Sequence, residues 1–202
     1  MPVKEDAMRL EDIAVLLTAA AKLCNHRQFV VAGSLSVIGS VLEPPASMVT
    51  SLDVDFYPRN DPDRGFVEIA SALSEHTPFS KEHGFYADPI HPRMLTLPEG
   101  WESRLVQVPL SSGVVAWFVD VVDAAAGKLT RGADNDLRWV RAALAARLFS
   151  SNLLRDRIKT VRALEGEVSG ALGHLAALEL ERDAAEEPWG GAVRSARMTV
   201  GR

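Results

Sequence analysis

The run from Phe29 to Tyr57 constrains this chain more than any other stretch. An apolar tetrad, Phe29-Val30-Val31-Ala32, stops at Gly33-Ser34, and the later segment Leu52-Asp53-Val54-Asp55-Phe56 alternates acids with apolar residues. Side chains alternate across a strand, so Asp53 and Asp55 share one face while Val54 and Phe56 take the other. Two carboxylates on one face repel each other unless a cation lies between them. The competing reading, an edge strand with a solvated polar face, fits poorly because Asp is depleted in strands. A glycine at a strand exit lets backbone approach a phosphate, and the Ser34 hydroxyl and the N–H groups of a following helix are then donors to its oxygens. A plain tight turn is the alternative for Gly33-Ser34, and the acids downstream weigh against it. These features point to a nucleotide carrying a divalent metal, with Asp53 and Asp55 as metal ligands and Gly33 and Ser34 on the phosphates. One of the two acids is also placed to bind a second ion near an attacking hydroxyl.

Further motifs follow in order: His83-Gly84-Phe85-Tyr86, Leu97-Pro98-Glu99-Gly100-Trp101, Arg104-Leu105, Asp123-Ala124-Ala125-Ala126-Gly127-Lys128-Leu129 and Asp136. With the Gly-Ser and Asp-x-Asp pair, this series resembles the nucleotidyltransferase superfamily over roughly residues 29 to 145. The closer resemblance is to a minimal bacterial branch related to the AbiEii-type toxins of toxin–antitoxin pairs.

That resemblance implies an α/β (α+β) fold: a polymerase beta-like core with a mixed sheet flanked by helices, followed by a helical C-terminal region. It implies transfer of a nucleoside monophosphate from a nucleoside triphosphate, with Mg²⁺ or Mn²⁺ and release of pyrophosphate. It gives Ser51, on the face of Asp53, a place in the active site, and it brings Lys128 to the phosphates. A tRNA 3′ end as acceptor and a cognate antitoxin protein are implied as well. The branch places Tyr86 and Asp88 on a strand, and a third carboxylate is sought in Asp88 or Asp120, or is lacking. The branch pattern Arg-x-Lys-Asp meets Ala133-Asp134-Asn135-Asp136 here, so the acid is kept and both basic residues are gone. Arg131 can replace one charge, and Asp136 is expected to orient Lys128 or to help activate the acceptor hydroxyl. The departure keeps two other readings open: an enzyme placing AMP or UMP on a protein hydroxyl, and a degenerate member that binds nucleotide or a partner.

A length of 202 residues allows one core domain with an appendage, set here at 1–147 for the core, 148–187 for the helical region and 188–202 for a flexible tail. The net charge of −5 excludes a global basic footprint, so nucleic acid would need a local patch. One candidate is Arg155, Arg157, Lys159 and Arg162, which otherwise form a solvated helix face. Cys24 is the single cysteine, which excludes an internal disulfide and suits a core position. Charges at Lys4, Glu5, Asp6 and Arg9 precede any apolar stretch, and no run is long enough to span a bilayer, so a cytoplasmic protein is expected.

Periodicity predicts helices over 9–25, 35–42, 66–75 and from Asp123, which is expected to cap the last of these. Leu137, Val140, Leu144 and Leu148 form the next apolar stripe. In 151–186, Leu153, Leu154, Ile158, Val161, Leu164 and Val168 are expected to face inwards, with Gly166, Gly170 and Gly173 breaking the second half. Residues 103–110 and 114–119 read as a hairpin turning at Ser111-Ser112-Gly113. Trp101 and Trp117 are expected in the core. His26 is read as a helix-end cation, His83 as structural or phosphate-facing, and His91 as an exposed loop residue.

Overall fold

The computed structural model describes residues 7–186; the expected tail over 188–202 lies outside them. Helix α1 (Leu10–Cys24) buries Ile13, Leu16, Leu17, Ala20 and Cys24 on one face and ends at Asn25, whose left-handed φ of 48° suits that residue type. Cys24 is a core residue whose thiol donates to the Ala20 carbonyl. The His26 ring packs edge-on against Phe29, and Nε2 is buried with no hydrogen-bond partner among the described residues.

Five strands form one mixed sheet: β1 (Gln28–Val31), β2 (Asp53–Pro58), β3 (Tyr86–Pro89), β4 (Val106–Pro109) and β5 (Val115–Phe118), in the order β3-β2-β1-β5-β4. β1 runs antiparallel to β2 and parallel to β5, and β2 runs parallel to β3. β4 and β5 form the expected hairpin. Phe29, Phe56 and Phe118 are fully buried along the sheet. Trp117 packs against the core with Nε1 donating to Gln28, and the Arg59 guanidinium lies 3.6 Å over its ring. Trp101 also packs against the core.

The helices α2 (Phe66–Leu73), α3 (Pro78–His83), α4 (Val121–Arg131), α5 (Asp134–Ala145), α6 (Ser151–Ile158) and α7 (Glu165–Glu186) flank the sheet. α6 and α7 pack on α4, and Leu154, Ile158, Ala171, Leu175 and Leu178 join the same core as the strands. The fold is thus α/β, a mixed sheet flanked by helices with a helical C-terminal region.

Several helical expectations change. Residues 35–42 do not form an α-helix; a short 3₁₀ helix spans Ser34–Gly39. Gly39 sits so close to Phe118 that a Cβ would lie 2.2 Å from the ring, and glycine itself extends a helix poorly. Gly166, Gly170 and Gly173 do not break α7, because their positions face open space while Ala171, Leu175 and Leu178 anchor the opposite face. Packing of one face outweighs roughly 1 kcal/mol of propensity per glycine. Leu153 and Leu164 point outwards. α4 is not capped by Asp123. Asp120 is the cap, accepting from the N–H groups of Val122 and Asp123.

Candidate active site

The register of the sheet assembles the acids. Asp53 lies opposite Tyr86, and Asp55 lies opposite Asp88. Paired residues on adjacent strands share a face, so β3 brings Asp88 beside the pair from β2. One oxygen from each of Asp53, Asp55 and Asp88 lies within 4.8 Å of the others. Of the two candidates for a third carboxylate, Asp88 lies beside the pair, while Asp120 caps α4. Ser51 donates to Asp53 Oδ1 from just before the strand.

The electrostatics of this cluster are unfavourable for three bare anions. Burial, then the charges of Asp53 and Asp88, push the Asp55 carboxyl up to about 6. Burial and Asp53 raise Asp88 as well. An oxygen-only set of carboxylates is the donor chemistry of hard divalent cations such as Mg²⁺ or Mn²⁺, and such a cation would relieve this repulsion. The three residues therefore fit a metal.

β1 delivers the turn. Ala32 N–H donates to the Asp55 carbonyl, and Gly33 follows at φ 65° and ψ −153°, a region open essentially to glycine. A Cβ on Gly33 would stand 1.8 Å from Asp55 Oδ2. Ser34 begins the 3₁₀ turn, and its hydroxyl accepts from Lys128 Nζ at 3.0 Å.

Lys128 is nearly buried on α4. Its ammonium donates to Asp136 Oδ1 at 2.9 Å and lies 5.2 Å from the Trp139 ring. Burial pulls the Lys128 amine below its ordinary value, with Asp136 opposing. Burial alone would raise Asp136, but hydrogen bonds from Arg131 and Lys128 outweigh it and hold the carboxyl below the usual range. Arg131 forms both contacts of a fork on Asp136, at 2.6 and 2.7 Å. It thus supplies a cation where the Ala133 and Asn135 positions have none. With its oxygens taken by Lys128 and Arg131, Asp136 is placed to orient Lys128.

Two pockets flank the Ser34–Lys128 contact. One, of about 340 Å³, is walled largely by apolar side chains including Met94, Leu95, Leu97 and Val119, with Lys128, Arg131 and Glu167 as its charged members. α4 comes close to this wall at Gly127, where a Cβ would lie 2.5 Å from the Thr96 carbonyl. The other, of about 410 Å³, is lined by Ser34, Ser51, Asn135, Arg138 and neighbours.

Sequence reasoning missed Arg138 and Trp139. Trp139 Nε1 donates to the carbonyls of Ser34 and Met48 and so ties the turn to the loop before β2. Its signal was present: it follows Asp136 by one helical turn and shares its face. Asp123, expected at the helix end, is fully buried and held by Arg104 at 2.8 and 3.1 Å, with Arg157 at 3.6 Å. His83 packs against Phe79 and Phe85, which fits its structural reading. His91 is only partly exposed: it caps a turn through Nδ1 and faces Asp63 at 3.6 Å. The basic cluster of the C-terminal region is neutralised internally. Arg155 pairs with Glu179, Arg157 with Asp123, Lys159 with Asp156 and Arg162 with Glu99.

A protein family described as "nucleotidyltransferase of unknown function" (DUF6036) matches residues 9–169. No curated protein and no solved structure matches the chain. Among the described residues, no helix is long and apolar enough to cross a membrane.

Proposed function

The chain belongs to this family of nucleotidyltransferases of unknown function, and from that premise we propose that it transfers a nucleoside monophosphate from a nucleoside triphosphate to the 3′ end of a tRNA, as the toxin of a toxin–antitoxin pair. The observation that carries the transfer reading is the convergence of Asp53, Asp55 and Asp88 within 4.8 Å beside the Gly33-Ser34 turn. The tRNA acceptor and the antitoxin partner rest on the resemblance to the AbiEii-type branch.

The acceptor hydroxyl oxygen attacks the α-phosphorus, the bond to the bridging oxygen breaks, and pyrophosphate leaves with the electron pair. Mg²⁺ or Mn²⁺ held by Asp53, Asp55 and Asp88 would neutralise charge on the phosphate oxygens. Gly33 lets the turn approach the phosphates, and the Ser34 hydroxyl lies within their reach. Lys128, fixed by Asp136, places a point charge on the leaving pyrophosphate. Ser51 fixes the Asp53 carboxylate by donating to it. Asp88, the exposed member of the cluster, is the carboxylate positioned to take the hydroxyl proton. Catalysis is positioning and electrostatics.

One observation favours a protein acceptor instead. The C-terminal basic residues are paired with the chain's own carboxylates, leaving no broad basic face there for RNA. The deciding experiment supplies Mg²⁺, each α-labelled nucleoside triphosphate, total tRNA and cell lysate. Label on tRNA that is lost in Asp53→Ala supports the proposal, and label on protein supports AMP or UMP transfer to a side chain. Absence of label with nucleotide binding intact supports a degenerate, binding-only member.

A further inference from the structure

We propose that the pocket between Ser34 and Ser51 is the acceptor site and that it is built for the sugar-phosphate end of an RNA chain, with Arg138 as the residue that holds the phosphate linking its last two nucleotides. The inference rests on the transfer reading for its chemistry and goes beyond it in assigning the two pockets.

The pockets differ in what they can bind. The one by Met94 and Val119 has apolar walls with a few polar groups, the lining that suits a flat base. The one by Ser51 is lined by the hydroxyl residues Ser34, Ser47, Thr50 and Ser51 with Asn135 and Arg138, beside Met48 and Trp139, and by no carboxylate among the described residues. Hydroxyls and an amide suit ribose oxygens, and a guanidinium suits a phosphate through paired N–H donors. Its volume of about 410 Å³ lies in the range of roughly 300–1,000 Å³ common to small-ligand sites, so it admits a chain terminus and not a duplex.

Location supports the same assignment. Ser34 touches Lys128, and Ser51 touches Asp53, so the pocket opens between the phosphate turn and the acidic cluster. A terminal hydroxyl entering there meets Ser51, whose own hydroxyl leads on to Asp53. Arg138 is exposed and donates to the Asn135 amide oxygen, and no carboxylate forms an ion pair with it among the described residues. Arg131, Arg141, Arg155 and Arg162 each have such a partner. An arginine with no carboxylate in ion-pair contact among the described residues, at a pocket lined by hydroxyls, is available to an external anion.

The test measures binding and transfer separately. A short 5′-fluoresceinated single-stranded RNA with a free 3′ hydroxyl is titrated with the full chain by anisotropy over a range of salt. Arg138→Glu is expected to weaken binding roughly tenfold, and Arg138→Ala to reduce the salt slope by about 0.7, the loss of one phosphate contact on a single strand. Arg138→Lys should restore part of the affinity, and Arg162→Glu should change nothing. In the labelling assay Arg138→Glu should raise KM for tRNA and leave KM for the nucleotide unchanged. No binding by the wild type, equal binding by Arg138→Glu, or an equal loss in Arg162→Glu overturns the proposal. Asp53-dependent label found only on protein also overturns it, while the transfer reading stands. Arg138-dependent RNA binding with no transfer to any acceptor leaves the pocket assignment standing and removes the transfer reading.

Discussion

The α-carbon of Gly33 lies against the carboxylate of Asp55, with room for no side chain between them. The backbone of one strand exit thus forms part of the wall that holds a buried acid of the next strand. Gly33→Ala would force Asp55 away and would also place a Cβ at a φ of 65°. We expect a stability loss of about 1–3 kcal/mol from the backbone conformation alone. Divalent-ion stabilisation should be lost with it. Thermal melts with and without Mn²⁺ measure both.

The acidic cluster makes stability depend on pH and on metal in opposite senses. The folded Asp55 carboxyl is raised to about 6 from 3.8, by burial and then by Asp53 and Asp88. Between these values the folded chain holds more protons than the unfolded one. This contribution is therefore full below about 3.8 and is lost as pH rises through about 6. A divalent ion, which needs the ionised form, should raise Tm more at pH 7.5 than at pH 5. Asp55→Asn should make the metal-free protein more stable at pH 7.5 and abolish the Mn²⁺ shift. An unchanged shift would remove Asp55 from the metal site.

Lys128 and Asp136 form a buried pair, and removing either partner has a different consequence. Lys128→Met leaves Asp136 its fork to Arg131, so the fold should persist while transfer falls roughly 100-fold, as for loss of a charge-stabilising donor. Asp136→Asn leaves a buried lysine without its anion and should cost on the order of 3 kcal/mol. Urea unfolding and single-turnover transfer, run on both variants, separate the two effects.

Asp123 belongs to the frame and not to the chemistry. Its side chain is fully buried and paired with Arg104, which joins α4 to the segment before β4. Asp123→Ala should destabilise the chain by about 3 kcal/mol, because Arg104 and Arg157 lose the anion they share, with transfer per folded molecule unchanged at low temperature. A loss of transfer without a loss of stability would show that this acid acts in the reaction.

The two ends of the site were readable in the chain to different degrees. Asp53 and Asp55 declare a shared face because strand alternation is a local rule, and Gly33 declares a close approach because its conformational freedom is local too. The choice between Asp88 and Asp120 was not readable. Both sit among apolar residues, and only the pairing of β2 with β3 and the start of α4 at Val121 distinguish them. The same holds for the basic residues. The chain lacks them at positions 133 and 135, while the packing of α4 and α5 brings Arg131 onto Asp136 and Arg138 to the pocket.

The sequence by itself determined the strands, the first helix and the chemistry each could carry, since alternation, helical period and turn residues act over a few neighbours; packing at Gly39 and along α7 decided the elements it misread. Tertiary structure alone decided which charges are spent and which remain free. The arginines of the C-terminal region read as a basic face until their carboxylate partners, brought in from α4, α7 and the Glu99 turn, neutralise them. Charge pairing depends on distance in space, and only the folded chain sets the distance between residues far apart in sequence.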